Sequence, residues 1–349
     1  MKQEKIIFVC PHMASFIQLD IDILSERYTV IQNTYNWKNK IAVPYFLLKQ
    51  FFFLLTNIRQ SKLIIVSFGG YWALIPAIIG RLFKKPVYII LHGTDCAAFP
   101  EINYGNLNKP ILKKVLKISY QLATKLLPVS DSLVYTENTY YSPGKIIKQG
   151  YKHFFKNNTT AYTVIYNGID TSKWIILPDI KKVENRFITV LSEGQFFIKG
   201  GDLIIEAAKK LSHFEFIFVG IKQAPALIKV PDNVKFTGRL SASELLQIYN
   251  SSKYYLQLSI TEGFGVALCE AMACGCIPIV SNVNILPDII GDSGYVLTKS
   301  NVEVLIKLII EKVIPEKRTE LDILARNTVF IRFSIENRKE KLDRVIENL

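Results

Sequence analysis

Short apolar runs rich in β-branched and aromatic residues alternate along the chain with longer segments in which apolar residues recur at helical spacing. The short runs are typical of buried strands, and the longer segments are typical of amphipathic helices. In the first half, helices such as residues 71–83 and 110–124 are predicted between strands. The predicted strands there are residues 6–9, 29–32, 63–67, 87–91, 126–129 and 163–165.

The same alternation restarts in the second half of the chain. Ser241 and Glu244 form a capping-box sequence, because each side chain can satisfy the free backbone amide of the other. The predicted strands are residues 187–191, 214–219, 234–236, 254–258 and 277–280, with helices at 202–211, 241–250 and 266–273.

Alternating strands and helices predict an α/β protein with parallel sheets that carry helices on both faces. The polar stretch 170–186 contains no strand pattern and is interpreted as a linker between two series. We therefore expect two Rossmann-like domains that face each other across a cleft: residues 1–175, residues 176–328, and a C-terminal helix at 329–349 that packs back toward the first domain. Ligands should collect at the carboxyl ends of the strands.

Charge is distributed unevenly between the halves of this chain, whose net charge is +13. Residues 1–173 hold 21 Lys and Arg against 9 Asp and Glu, whereas residues 174–349 hold 22 against 21. The asymmetry favours an anionic partner for the first half, such as a membrane surface or a phosphorylated substrate, or else lysine is simply its solvent-facing residue. No base-reading module is found, so nucleic acid is not expected as a partner.

Two further patterns concern the compartment. The chain opens with polar residues that lead directly into a strand, so no signal peptide is predicted. The cysteine count is odd, and the five thiols lie in apolar or small-residue surroundings, which favours reduced packing residues over disulfides. Both patterns indicate a cytoplasmic protein.

Two segments of the first half suggest contact with a membrane. Residues 109–125 are basic and amphipathic, and residues 41–58 are strongly apolar and aromatic. Pro44, Lys49 and Gln50 interrupt the second segment, which argues against a spanning helix. The alternatives are a buried core helix and peripheral attachment to an anionic surface, such as the inner face of the cell membrane.

The most informative segment is Glu262-Gly-Phe-Gly-Val-Ala-Leu-Cys-Glu270, which lies between a strand and a helix. Gly263 and Gly265 permit a tight turn and a close approach of the backbone to a ligand. The free amides of the helix that begins at Val266 suit a diphosphate. The two glutamates can face one elongated ligand as acceptors for sugar hydroxyls, although an ordinary α/β turn with Glu270 on the solvent face is the alternative.

This segment resembles the Glu-x7-Glu signature of retaining glycosyltransferases of the GT-B fold, in particular the family 4 (group 1) enzymes. Lys199-Gly-Gly-Asp and Val234-Lys-Phe-Thr-Gly-Arg239 resemble further elements of that family, and the segments 275–282 and 286–294 continue the match in order. The resemblance implies a donor site that binds a nucleotide sugar, with Lys199 on the diphosphate, Glu262 on the sugar and Glu270 on the ribose. Its implied residues are Lys199, Gly238, Arg239, Glu262, Gly263, Phe264, Gly265, Val266, Ala267 and Glu270.

In the first half the resemblance is patchier. Leu91-His-Gly-Thr-Asp95 resembles the loop in which the family places a histidine near the reacting sugar, and segments 127–133 and 164–170 resemble two further landmarks. The resemblance implies that His92 is catalytic, with Asp95 orienting either His92 or the acceptor hydroxyl. A turn-forming aspartate is the alternative for Asp95.

Two departures from the family pattern are visible. The loop after the first strand, residues 9–15, contains no glycine, and His12 is the side chain that could donate there instead. An arginine that usually precedes the phosphate-binding lysine is absent, with either Gln195 or no residue in its place. Binding of the diphosphate would then depend more on Lys199 and on the helix at Val266.

Together the resemblance implies a metal-independent, retaining transferase of hexosyltransferase type that acts in cell-surface polysaccharide or glycolipid synthesis. A UDP- or GDP-sugar is the expected donor, a sugar or lipid-linked sugar is the expected acceptor, and no other cofactor is expected. The alternatives are a sugar-nucleotide epimerase, a phosphorylase, or a non-catalytic protein that kept the fold. Asp20 and Asp22 invite a metal site, but they are interpreted as helix surface.

Overall fold

A computed structural model describes residues 4–142, 144–315 and 320–349 of the chain. The chain folds into two compact units. The first consists of Met1–Thr136, Lys148–Gly168 and Arg338–Leu349, and the second of Glu137–Ile147 and Ile169–Asn337.

The first unit is built on a five-stranded sheet in which all strands are parallel and ordered β2-β1-β3-β4-β5. Its three central strands, β1, β3 and β4, are almost continuously apolar and buried, as is usual where helices cover both faces of a parallel sheet. Its elements are β1 (Lys5–Cys10), α1 (Ser15–Ser25), β2 (Thr29–Thr34), α2 (Val43–Asn57), β3 (Ser61–Ser67), α3 (Leu74–Leu82), β4 (Val87–Leu91), α4 (Pro110–Leu122), β5 (Lys125–Pro128) and α5 (Tyr151–Phe154).

Short strands β6 (Thr136–Asn138) and β7 (Ile147–Gln149) form a separate two-stranded sheet.

The second unit is built on a six-stranded parallel sheet of order β10-β9-β8-β11-β12-β13. Its elements are β8 (Val183–Val190), α6 (Gly201–Lys210), β9 (Glu215–Val219), β10 (Val234–Gly238), α7 (Ala242–Ser251), β11 (Ser252–Gln257), α8 (Val266–Ala273), β12 (Ile277–Ser281), α9 (Leu286–Ile290), β13 (Tyr295–Leu297), α10 (Val302–Leu308), the π-helical turn Ile309–Val313, and α11 (Leu321–Arg332).

Most predicted elements are found, and the capping box at the start of α7 is confirmed: Ser241 Oγ accepts from the amide of Glu244, whose carboxylate accepts from the amide of Ser241. The strand predicted at residues 163–165 is wrong. Thr163 and Ile165 donate backbone hydrogen bonds to Leu126 and Pro128 of β5, but the segment forms no regular ladder.

The stretch interpreted as a linker, residues 170–186, is also corrected. Its end already forms part of β8, and its middle is anchored within the second unit. Asn250 accepts from the amide of Leu177 and donates to the carbonyl of Ile175, and Lys182 Nζ donates to the carbonyls of Ser252 and Cys274. The buried side chain of Asn250 satisfies backbone groups of this segment, and Lys182 of the segment satisfies carbonyls of the second unit, so the segment is anchored although it has no strand pattern.

The C-terminal segment, expected as one helix over residues 329–349, contains a break. α11 ends at Arg332, and a last helix, α12 (Ile335–Glu347), begins after Phe333 and Ser334. Phe333 is buried and leaves the helical conformation, while Ser334 Oγ accepts from the amide of Asn337 in the first turn of α12. Residues Arg338–Leu349 belong to the first unit.

The sequence suggested that Asp20 lies on the surface of α1, but this residue is fully buried. Its two carboxylate oxygens accept from Nε and Nη2 of Arg338, at 2.5 and 2.7 Å, and Nη1 of that arginine donates to the carbonyls of Ile165 and Tyr166. The bidentate pair is saturated with hydrogen bonds, which offsets the cost of burying two charges.

Replacing Arg338 with methionine should destabilise the first unit by about 3–5 kcal/mol, because Asp20 would be left as a buried, unpaired charge. Urea unfolding followed by circular dichroism measures the change. The matched control is Arg344→Met, which removes an exposed pair with Glu340 and should cost less than about 0.5 kcal/mol. The double variant Asp20→Leu/Arg338→Met should recover much of the loss; equal destabilisation by both single arginine variants would contradict this account.

Candidate functional site

The strand order of each sheet reverses at one point, and there the loops at the carboxyl ends diverge to leave a crevice. In the second unit the reversal lies between β8 and β11, since β9 and β10 extend the sheet on one side and β12 and β13 on the other. The loops that follow β8 and β11 carry Lys199 and Glu262. The topology therefore brings these two predicted site residues to the same crevice.

Lys199 and Glu262 form an ion pair in which the ammonium donates to Oε2. The same oxygen accepts from Gln257 Nε2 at 2.7 Å and from Ser259 Oγ at 3.1 Å. Both partners of the pair are largely shielded, with side-chain exposures of 16% and 14%. A carboxylate with three donors on one oxygen is held in a fixed orientation, and its other oxygen remains available to a ligand.

Backbone contacts fix the two loops against each other. The amide of Ile260 donates to the carbonyl of Ile198 at 2.7 Å. Asn284 Oδ1 accepts from the amide of Glu262 at 2.9 Å. Gly200 lies in the left-handed region with φ 72°, and a Cβ there would come within 2.4 Å of the Leu258 carbonyl oxygen. Only glycine permits this close approach, so the position of Lys199 depends on its neighbour.

The helix α8 begins directly after Gly265, whose φ of 110° also favours glycine. The first amides of the helix, at Val266 and Ala267, have no intrahelical acceptor and form the end that favours an anion. One turn further along, burial raises the pKa of Glu270 to about 8, an effect that Lys173 offsets only in part. Glu270 therefore carries a proton much of the time near neutral pH.

The remaining predicted donor residues also lie at strand ends of this unit. Gly238 ends β10 with φ 70°, and its carbonyl accepts from the amide of Gly220 at the end of β9. Arg239, the next residue, is exposed. Gly263 and Phe264 complete the loop before α8 and are buried. Gln195, at the position of the family's arginine, accepts from Ser192 Oγ at 2.8 Å.

In the first unit, His92 follows β4 and lies between two aromatic rings. Its ring centroid is 4.2 Å from that of Phe68 and 4.9 Å from that of Phe16, and its Nε2 lies 3.0 Å from Ser67 Oγ. Burial, with smaller contributions from the positive charge of Arg338 and from His12, holds the pKa of His92 well below its usual range. The imidazole is therefore neutral at physiological pH.

Asp95 is fully buried and touches main-chain groups rather than the ring of His92. Oδ1 accepts from the amides of His92 and Gly93 at 3.1 and 2.8 Å, and Oδ2 accepts from the amide of Gly69 at 2.7 Å. Burial raises the pKa of Asp95, and these amides oppose the shift. With no exposed surface it cannot reach an acceptor hydroxyl, so it is a positioning residue for the loop that carries His92.

A cavity of about 600 Å³ opens at the carboxyl edge of the first sheet, where strands β1 and β3 mark the reversal of its order. Tyr35, Trp37, Phe68 and Trp72 contribute four aromatic rings to its walls. Trp37 is one of the lining residues, and its Nε1 is buried with no hydrogen-bond partner among the described residues. The lining residues are Pro11, His12, Thr34, Tyr35, Asn36, Trp37, Lys38, Phe68, Trp72, Thr94 and Asn106.

His12 is the one sequence-predicted residue in this cavity, where burial and the positive charge of Lys38 lower its pKa. Trp37 and Trp72 were missed, and so were Gln257, Ser259 and Asn284 in the second unit. Polar residues at the ends of predicted strands were the available signal for Gln257 and Ser259. For the tryptophans and Asn284, no local pattern marks a site, because each lies in a loop that only the fold brings to it.

Comparison with known proteins agrees with this geometry. Residues 173–326, which contain Lys199, Glu262 and Glu270, match the family model described as "Glycosyl transferases group 1". The resemblance predicted from these motifs is confirmed.

Two curated relatives illustrate the similarity in sequence. N-acetyl-alpha-D-glucosaminyl L-malate synthase of Bacillus anthracis is 28% identical over 233 residues, which cover 62% of this chain and 55% of that protein. O-antigen chain mannosyltransferase B of Escherichia coli is 32% identical over 72 residues, which cover 21% of this chain and 19% of that protein. The chain thus spans about half or less of the length of these relatives.

Solved structures resemble the chain over nearly its whole length. Sucrose-phosphate synthase of Thermosynechococcus elongatus superimposes with a TM-score of 0.74 at 14% identity, covering 99% of this chain and 98% of that one. HepE of Anabaena, in complex with UDP, superimposes with a TM-score of 0.71 at 16% identity, covering 99% and 100%. The predicted GT-B fold class is confirmed by these neighbours.

The raised pKa of Glu270 predicts a pH-dependent stability. Since the folded-state pKa of about 8 lies above the ordinary value of 4.5, the unfolded chain ionises first, and stability is lost as pH rises from about 4.5 to about 8. Glu270→Gln removes this loss. The gain in unfolding free energy over the parent protein should grow by up to about 1.4 kcal/mol per pH unit across that window and then level off.

Urea unfolding of the ligand-free protein over this pH range measures the difference. The matched control is Glu206→Gln, which changes an exposed glutamate of α6 and should give a constant offset. A pH-independent difference for Glu270→Gln would mean that this carboxyl ionises as it does in water.

Proposed function

We propose that this chain is a retaining glycosyltransferase, which moves a sugar from a nucleotide-diphosphate sugar to an acceptor hydroxyl. The observation that carries the proposal is the shielded Lys199–Glu262 pair at the reversal of the second sheet, within the stretch that matches the group 1 glycosyl transferase family. A crevice at this position in a parallel sheet suits a nucleotide. Lys199 supplies a positive charge for the diphosphate, and Glu262 supplies a negative charge for the sugar hydroxyls.

The donor diphosphate would take the place of Glu262 as the main partner of Lys199. A lysine ammonium is a flexible point charge with three donors, so it can turn toward phosphate oxygens while the carboxylate stays bound to Gln257 and Ser259. The first amides of α8 add a second set of donors to the diphosphate. Glu262 would then accept hydroxyl groups of the sugar, and Glu270 those of the ribose.

In the reaction, the bond between the anomeric carbon and the phosphate oxygen breaks, and the acceptor oxygen bonds to that carbon on the same face. The acceptor proton passes to the leaving phosphate oxygen. Charge accumulates on the diphosphate in the transition state, where Lys199 and the α8 amides stabilise it. Among the described residues, the carboxylate of Glu262 hydrogen-bonds to Lys199, Gln257 and Ser259 and to no second carboxylate. The pair of carboxylates that retaining glycosidases use for double displacement is not formed there, which favours direct transfer over a covalent intermediate.

His92 and the aromatic cavity are the proposed acceptor side of the reaction. The neutral imidazole can exchange hydrogen bonds with a hydroxyl without adding a charge. The aromatic rings of Trp37, Trp72 and Tyr35 offer flat apolar surfaces to a sugar ring. A saccharide is therefore the class of acceptor that this cavity suits best.

A role in cell-surface polysaccharide or glycolipid synthesis, on the cytoplasmic side of a membrane, fits these features. The first half of the chain is basic, as expected of a protein that works at an anionic surface. The similarity to an O-antigen chain mannosyltransferase supports the same class of product.

One observation favours a second candidate, a binding protein that holds a nucleotide sugar without transferring it. Gln195 stands where the family's arginine would meet the diphosphate, and its amide is engaged by Ser192. Donor binding in a thermal-shift panel of UDP-, GDP- and ADP-sugars, with no turnover of the bound donor on any acceptor, would select this candidate.

Lys199→Ala and Glu262→Ala should each lower the turnover of the active donor by about 10²–10³-fold, because each removes a charged partner of the donor from a shielded site. Hydrolysis or transfer of the donors selected by the thermal-shift panel is the measurement. Lys209→Ala, which breaks an exposed ion pair with Glu206, is the matched control and should keep near-parental activity. Near-parental turnover in both site variants would rule out the proposed donor site.

Trp37→Phe should raise the acceptor KM about 2- to 10-fold and leave the donor KM unchanged, since it removes part of an aromatic surface that contacts the sugar. Initial rates with a panel of free and lipid-linked oligosaccharides measure both constants. Trp174→Phe, a buried tryptophan of the second unit, is the control. An effect on the donor KM alone would place the acceptor elsewhere.

A further inference from the structure

Three helices of the first unit lie side by side on one face of its sheet. α2, α3 and α4 each connect strands that advance in the same direction across the order β2-β1-β3-β4-β5, and right-handed crossovers place such helices on a common face. α2 contacts α3, and α3 contacts α4. We call the solvent side of these three helices the α2–α4 face.

A stripe of apolar side chains runs along α2 on the α2–α4 face. Ile41, just before the helix, and Tyr45, Leu48 and Phe52 within it follow one another at intervals of three or four residues, so they share one side. Their exposures are 94%, 61%, 57% and 57%. A stripe of this length in water is unfavourable unless something covers it.

The neighbouring helices continue the apolar surface. Ile78 and Leu82 of α3 are 41% and 71% exposed, and Ile111 and Ile118 of α4 are 71% and 46% exposed. Hydrophobic residues scattered singly over a surface are normal, but here they extend one patch across three adjacent helices.

The charge of this face has one sign. No Asp or Glu occurs between residues 27 and 94, a stretch that contains the whole of α2 and α3, and α4 has none either. The exposed basic residues of the three helices and the turn after α3 are Lys49, Arg81, Lys84, Lys114 and Lys117. Their charges are therefore uncompensated on their own helices.

We propose that the α2–α4 face docks on an anionic lipid bilayer, with the stripe of α2 inserted into its interfacial layer. This proposal rests on the proposed function and adds to it the surface of the protein that contacts the membrane. A bilayer of anionic lipids offers negative headgroups for the lysines and apolar chains for the stripe at the same depth. Tyr45 has an amphipathic ring of the kind that favours this layer.

Another occupant fits less well. A second copy of the same face would bring like charges together around the apolar stripe, which is unfavourable. Nucleic acid would satisfy the lysines but leave the aliphatic side chains without a partner. The uniform sign of the charge and the apolar stripe together favour the bilayer.

The face docks without crossing the bilayer. Residues Lys40–Gln60 form a helical segment that is long and apolar enough to span a membrane by composition. However, the side of α2 opposite the stripe is part of the folded unit: Gln50 is fully buried and donates to Asn33 Oδ1 and to the carbonyl of Trp72, and Leu54 is also buried. Removing α2 from the sheet would break these contacts, so only its outer side can enter lipid.

The test is sedimentation of the full chain with vesicles of phosphatidylglycerol and phosphatidylcholine in equal parts, and with phosphatidylcholine alone. The parent protein should bind the anionic vesicles, and the variant Tyr45→Ser/Leu48→Gln/Phe52→Ser should bind at least about tenfold more weakly, from the loss of buried apolar area. The matched control, Leu227→Gln/Ile323→Gln/Ile331→Gln, changes three exposed apolar residues of the second unit and should bind like the parent.

Two further measurements separate the contribution of the lysine charges to vesicle binding from that of inserting the apolar stripe. Lys114→Gln/Lys117→Gln should weaken binding, whereas Lys229→Gln/Lys299→Gln in the second unit should not. Phe52→Trp fluorescence should be quenched by brominated lipids more strongly than that of Leu227→Trp. Circular dichroism and donor thermal shifts establish that each variant is folded, so loss of vesicle binding is distinguished from loss of transferase function.

Three outcomes would overturn the proposal. They are equal binding by the stripe variant and its control, equal quenching of the two tryptophan variants, and binding to phosphatidylcholine as strong as to the anionic vesicles. Vesicle binding by a protein that turns over no donor would instead contradict the proposed function and leave the docking surface intact.

Discussion

Parallel pairing of every strand in the two larger sheets is the constraint on which the rest of the structure depends. It aligns all carboxyl ends of a sheet along one edge, and the reversal of strand order then opens a crevice at that edge. In the second unit the crevice receives Lys199 and Glu262, and in the first the corresponding edge holds His92 and an aromatic cavity. The chemistry follows from topology, because residues far apart in sequence meet only where the strands end.

The ion pair at the second crevice also shows how a ligand-free site can remain stable. Two charges that are largely shielded from water would be unfavourable singly, and here each stabilises the other while Gln257 and Ser259 hold the carboxylate. When a diphosphate takes the lysine from the carboxylate, Glu262 keeps the hydrogen bonds from Gln257 and Ser259. The site is organised before the donor arrives, which lowers the reorganisation that the reaction requires.

Much of the fold and of the donor motif could be predicted from the sequence, since apolar periodicity and local loop chemistry are short-range features. The bidentate pair of Asp20 and Arg338 could not, because 318 residues separate its members and each resembles an ordinary charged helix residue. Lys199 and Glu262 were predicted as separate ligand groups, and their mutual contact depends on how two loops pack. Trp37 was missed for the same reason: side-chain packing, not spacing, forms the cavity.

The central claim is that the crevice between β8 and β11 binds the diphosphate of a nucleotide sugar. A crystal structure of the protein with a nucleoside diphosphate tests it most directly. The account predicts that phosphate oxygens lie within hydrogen-bonding distance of Lys199 Nζ and of the first amides of α8, and that the lysine has left Glu262. A diphosphate bound elsewhere, with the Lys199–Glu262 pair intact, would contradict it.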